Sequence, residues 1–114
     1  MIYSIDVIKN QLPYKTELSI KDKLFYLKFK YNIFDERVYV DLLDSEENIL
    51  AEDEPVVFGQ MLFARYYIDT SGNFNNSFPK ALIIPNYYET YNLEKIDYNN
   101  IENSTLYIQE LINI

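Results

Sequence analysis

The chain has 114 residues, a net charge of −8, 48% hydrophobic residues, and neither cysteine nor histidine. That length predicts one domain, residues 1–114, with a modest core. The two missing residue types exclude disulfides, thiol nucleophiles, Cys/His zinc sites and imidazole acid–base chemistry.

The acidic balance argues against nucleic-acid readout, which needs cations to displace phosphate counterions. No stretch reaches the roughly 20 uninterrupted apolar residues of a membrane helix. The N-terminus MIYSIDVIKN lacks a basic segment followed by a long apolar run, so no signal peptide is expected, and synthesis and folding in a cytoplasm are. Asn, Ile, Lys and Tyr are heavily used, and A/T-rich codons account for part of that usage. Charge is uneven along the chain. Residues 1–34 carry six Lys against Asp6, Glu17 and Asp22, whereas residues 35–54 carry nine acids against Arg37 alone. The ordinary reading of 35–54 is a solvated hairpin end; the asymmetry also suits steering of a protein partner or of another copy.

Taken in chain order, residues 2–7 alternate Tyr3, Ile5 and Val7 against Ser4 and Asp6, a first strand. Residues 9–14 contain Pro13 and connect it to a second strand over 15–20. A polar turn at 21–23 leads into the clearest pattern in the chain, LFYLKFKYNIFDERVYVDLL over 24–43. Phe25, Leu27, Phe29 and Tyr31 share one face, as do Val38, Val40 and Leu42, so two antiparallel strands are predicted. Opposed residues must share a face. A four-residue loop at 33–36 satisfies this by setting Phe29 opposite Val40, Leu27 opposite Leu42 and, on the outer face, Lys28 opposite Asp41. A two-residue loop fits the same parity. A lone hairpin is not stable in water, so a second layer of strands is required.

Residues 44–48 form a second turn, followed by a short strand near 49–52 that Pro55 ends. The run VVFGQMLFARYYI over 56–68 reads best as a buried strand bulged at Gly59; the rival is a short helix over 59–66. Residues 69–79 are a loop or hairpin tip, 81–84 a short strand, 85–104 an Asn- and Tyr-rich stretch with room for a helical turn, and 105–112 a last strand. The fold class is therefore all-β, mostly antiparallel, a small sandwich or barrel with at most one short helix.

No catalytic constellation emerges. Glu46 with Glu47 and Asp53 with Glu54 are adjacent pairs, and neighbours on a strand point to opposite faces, so neither spans a substrate as paired-carboxylate hydrolysis demands. The 44–48 turn lacks the spacing and Gly of a calcium loop, and two glycines make no phosphate loop. No enzyme activity, cofactor or metal is expected. Tyrosine is the unusual resource. Tyr66, Tyr67, Tyr87, Tyr88 and Tyr91, with Arg65, are the candidate contact residues of a protein interface; half-buried rim positions and codon usage are the alternative account.

The order of short motifs adds to this. Ile8-Lys9-Asn10-Gln11, then Leu27-Lys28-Phe29-Lys30-Tyr31-Asn32, Arg37-Val38-Tyr39-Val40-Asp41-Leu42, Ile49-Leu50, the Pro55–Leu62 run, and Leu106-Tyr107-Ile108 follow one another. This resembles the small baseplate plug proteins of contractile-tailed phages and phage-tail-like particles. Two departures stand out: the aromatic before Asp41-Leu42 is displaced to Tyr39, and Glu46-Glu47-Asn48 stands where a Gly is common. The resemblance implies a non-catalytic virion component at the tail-tube tip. Several copies would contact the hub or spike and the tube, and help close the tube until contraction. The competing reading, from the residues alone, is a soluble carbohydrate- or peptide-binding β module.

Overall fold

The structure is a computed structural model and describes residues 2–87 and 104–111. Among the described residues there are seven strands: β1 (Ile2–Asp6), β2 (Tyr14–Ile20), β3 (Lys23–Asn32), β4 (Arg37–Leu43), β5 (Ile49–Pro55), β6 (Ala81–Tyr87) and β7 (Ser104–Glu110), with 3-10 turns at Lys9–Gln11 and Ala64–Tyr66. They form two antiparallel sheets, one of four strands in the order β2-β3-β4-β5 and one of three in the order β1-β7-β6. The all-β expectation is met.

The register of the β3–β4 hairpin is the four-residue-loop solution: Phe29 opposes Val40, Leu27 opposes Leu42 and Lys28 opposes Asp41. Phe25, Leu27, Phe29, Val38, Val40 and Leu42 are all fully buried. They join Leu18 and Ile20 of β2 and Ile83, Leu106 and Ile108 of the smaller sheet in one hydrophobic cluster. Each sheet buries one face against the other, which is the second layer that the hairpin needs. Among the described residues no helix is long and apolar enough to cross a membrane.

Short polar side chains shape the turns. At the β3–β4 turn, Asn32 Oδ1 accepts the Phe34 N–H at 2.9 Å, and the Asn32 carbonyl accepts the Glu36 N–H at 2.8 Å. Asp35 Oδ1 accepts the Arg37 N–H at 3.0 Å, and Asp35 Oδ2 accepts the Tyr39 hydroxyl. Glu36 takes a left-handed conformation, φ 59°. The turn at 44–48 is closed by Asp44, whose Oδ1 accepts the N–H groups of Glu46 and Asn48 at 2.9 and 2.8 Å. Both are side-chain turns that Asp and Asn favour.

Three sequence expectations need correction. Residues 56–68 are not a strand bulged at Gly59, because Gly59 and Phe63 both adopt positive φ, 78° and 61°. Val56, Phe58, Leu62, Phe63 and Tyr67 turn into the core at irregular spacing. The segment runs beside the small sheet instead, donating from Gly59 N to Pro85 O at 2.6 Å and from Leu62 N to Ile83 O at 2.8 Å. β5 continues to Pro55, opposite Tyr39; as an edge strand it tolerates a residue without an N–H. The acidic stretch 35–54 is not wholly solvated either, since Asp41 and Glu54 are only 4% and 9% exposed. Residues 69–79 do form a loop with a tight turn, in which Asp69 Oδ1 accepts from Ser71 and Asn73 at 2.9 and 3.0 Å. β6 extends through Tyr87; the helical turn expected within 85–104 lies mostly outside the described residues.

Two predictions follow from burial and turn chemistry. Phe29→Ala is expected to cost about 3–5 kcal/mol by urea denaturation, whereas Phe34→Ala, at a position 94% exposed, is expected to stay within about 0.5 kcal/mol. The Tyr39 hydroxyl and the Arg37 N–H hold the Asp35 carboxyl below its ordinary value. Its contribution is therefore complete above about pH 3.9 and is lost as pH falls through the lower folded value. Carboxyl NMR titration should place the Asp35 midpoint below that of an unpaired Asp, and Tyr39→Phe should raise it.

Candidate docking surface

The site begins with an irregularity in β5. Val40 opposes Glu54 and Leu42 opposes Ala51, so Glu52 and Asp53 together face Asp41. This is a β-bulge. Asp53 sits at φ 58°, and its N–H, displaced from the ladder, donates to Asp41 Oδ1 at 2.8 Å. Lys30 on β3 lies 3.0 Å from that same oxygen and also pairs with the Asp53 carboxylate. Burial disfavours the Lys30 ammonium, but its hydrogen bonds to Asp53 and Asp41 outweigh this and raise its pKa. Register sets Lys28 opposite Asp41, yet the ion pair runs diagonally to Lys30.

The bulge decides which carboxylate turns inward. Regular alternation after Ala51 would send Asp53 into the core and Glu54 to solvent. With one extra residue, Glu54 points inward instead. Its Oε2 accepts the Phe63 N–H at 2.7 Å. That bond anchors Phe63 in its left-handed conformation, immediately before the 3-10 turn Ala64–Tyr66. Glu54 Oε1, buried and without a hydrogen-bond partner, lies 3.6 Å from Arg65 Nη1.

The turn presents Arg65 outward and leaves Tyr66 half-buried, its ring packed against the core. The guanidinium lies 4.8 Å from the Tyr66 ring centre, and Nη2 donates to the Tyr66 hydroxyl at 3.1 Å. Phe78 stacks on the same ring at 5.4 Å with an 11° interplanar angle. Asn75 Nδ2 donates to the Tyr66 carbonyl at 3.1 Å. Arg65 is 64% exposed, and Ile68, two residues beyond Tyr66, is 58% exposed. A rigid Arg–Tyr pair beside an exposed aliphatic group has the composition of an interface anchor.

Of the sequence-derived contact residues, the structure brings Arg65 and Tyr66 together at the surface. Tyr67 is a core residue, only 6% exposed, packed edge-on to Phe78 at 5.8 Å, with its hydroxyl donating to the Ala81 carbonyl. Burial pushes its phenol well above the ordinary tyrosine value. It turns inward because consecutive residues of a tight helical turn point in different directions, so Tyr66 and Tyr67 cannot both face water. Tyr87 ends β6, and Tyr88 and Tyr91 lie outside the described residues. Glu54 and Ile68 were not picked out by sequence reasoning. Among the described residues no group of three or more acidic side chains is placed to hold a metal ion.

The described residues thus make a two-sheet β module whose distinctive chemistry is a braced aromatic–cationic patch on its surface. The family model described as "Cyanophage baseplate Pam3 plug gp18" matches residues 2–110, and the chain belongs to that family of phage baseplate plugs. No curated protein and no solved structure matches it. Family membership makes it a structural component of a phage particle, working among other baseplate components.

Support and contact are separable by mutation. Glu54→Leu leaves the buried Phe63 N–H unpaired and is expected to cost about 1–3 kcal/mol, with faster amide exchange across 63–67. Arg65→Ala, at an exposed position, should change stability by no more than about 1 kcal/mol.

Proposed function

We propose that this plug sits at the tip of the tail tube, where several copies contact the hub or spike and the tube and keep the tube closed until contraction. Arg65 and Tyr66 are the contact residues, joined by Tyr87, Tyr88 and Tyr91 of the same Tyr-rich half of the chain. The observation carrying this reading is the braced Arg65–Tyr66 pair. Glu54, Phe78 and Asn75 fix its geometry before any partner arrives, so little side-chain freedom is lost on docking. Copies arrayed on a symmetric hub gain effective concentration, which makes modest individual contacts sufficient. The role requires no chemistry of its own, in keeping with a non-enzymatic assembly protein made in the host cytoplasm.

The carbohydrate-binding alternative needs a tyrosine with a free ring face for a sugar to stack on. The Tyr66 ring is already engaged, stacked on Phe78 and contacted by the Arg65 guanidinium.

The test is particle incorporation. Arg65→Glu with Tyr66→Ala, and separately the alanine triple variant at Tyr87, Tyr88 and Tyr91, should be missing from purified particles. Each purified variant should remain folded with a cooperative thermal melt, the Arg65/Tyr66 variant somewhat below the parent because Tyr66 stacks on Phe78. Normal incorporation of both would overturn the docking assignment, and cryo-electron microscopy density for the plug away from the tube tip would overturn the location.

A further inference from the structure

The two ends of the four-stranded sheet differ in shape and charge. At one end the β3–β4 turn holds Ile33 and Phe34 out in water, 71% and 94% exposed. They are held by a turn whose Asn32 and Asp35 side chains each accept a backbone N–H. A flexible turn could fold such residues back against the sheet; this one presents them. Asp35, Glu36 and Asp53 lie around that end against two cations, Lys30 and Arg37, and Lys30 is itself paired with Asp53 and the buried Asp41.

At the other end of β3 is a depression of about 220 Å³. Ile20, Phe25, Phe78 and Pro79 form its apolar floor, and Lys21, Lys23 and Lys80 form its rim. Lys23 Nζ lies 5.4 Å from the Phe25 ring centre. Two acids stand near this rim, Asp22 on the same turn and Asp44, whose carboxylate is stabilised in part by the Lys23 charge, while the depression itself is lined by the three lysines and no acid. The volume falls below the roughly 300–1,000 Å³ usual for small-molecule sites and suits one side chain. Ten residues of β3 separate the two features, about 30 Å of extended chain, in a molecule 38 Å long. They therefore lie at opposite poles.

We propose that the protein self-associates head to tail, with the Phe34 ring of one copy seated in the lysine-rimmed depression of the next. Charge decides the occupant. Two acid-rimmed turns repel each other, and so do two lysine-rimmed depressions, whereas turn against depression matches apolar to apolar and acidic to basic. Such a contact is heterologous: every copy offers one knob and one socket, and the rotation between copies closes a ring or continues as a chain. This surface is distinct from Arg65–Tyr66 and stands whichever baseplate subunit that pair meets.

One aromatic anchor with exposed ion pairs suggests a dissociation constant on the order of a millimolar or somewhat below. In sedimentation and light scattering at low salt, the weight-average mass of the full chain should rise roughly twofold as concentration approaches that range. At about 1 M salt, where the screening length shrinks to about 3 Å, the rise should largely disappear. Phe34→Ser, and separately Lys21→Glu with Lys80→Glu, should stay monomeric with unchanged thermal melts. Mixed one to one, these two variants retain one working contact and should form a heterodimer that grows no further. Arg65→Glu with Tyr66→Ala should self-associate like the parent, so failure here is distinguishable from failure of the tube-tip assignment. A parent that stays monomeric, variants that associate as the parent does, or a mixture that fails to pair would each overturn the proposal. If the parent is monomeric while Phe34→Ser is lost from particles, the socket belongs to a different protein.

Discussion

A single extra residue in β5 governs the arrangement of the exposed surface. The bulge at Glu52–Asp53 turns Glu54 into the core, and Glu54 holds the backbone of Phe63. Phe63 opens the turn that carries Arg65 and Tyr66. The bulge is itself held by Lys30 between Asp41 and Asp53, and by Asp41 accepting the amide that the ladder leaves over. Three carboxylates and one ammonium on three neighbouring strands thus position a segment some ten residues downstream. The ion pairs are open to solvent at Asp53, 61% exposed, and such pairs add little net stability. The value of the cluster here is directional, since it selects which side chain of β5 faces the core.

The fold was legible where one rule left few answers. For 24–43, alternation fixed the faces, and the need for opposed residues to share a face fixed the parity of the turn. Both survive in the observed pairing of Phe29 with Val40. Turns built on Asp44 and Asp69 were legible because short acidic and amide side chains bond their own backbone. Residues 56–68 were not legible. Their apolar residues serve a segment that packs irregularly against the small sheet, and neither a period of two nor one of 3.6 describes it.

The site was half legible. Arg65 and Tyr66 were picked out because cation and aromatic sit together in a Tyr-rich half, and the two side chains do contact each other. Tyr67 could not be told from Tyr66, since the difference lies in a turn dictated by Phe63 at positive φ. Glu54 could not be found at all. Its inward direction depends on a bulge, and nothing in the string Glu52-Asp53-Glu54 says which acid is the extra one. The exposed Phe34 was visible in the loop, but its partner depression brings together the β2–β3 turn and residues 78–80, far apart in the chain.

The order of strands in the smaller sheet has a consequence for biosynthesis. β7 is the last strand in sequence but the middle one in space, flanked by β1 and β6. Neither neighbour touches the other, so until β7 is in place the three-stranded layer does not exist and the opposite sheet lacks part of the cover over its apolar face. Bringing residues 2–6 to 105–109 closes most of the polypeptide into one loop, an entropic toll taken late and in one step. Local hairpins of the larger sheet can thus form well before the smaller sheet has its central strand.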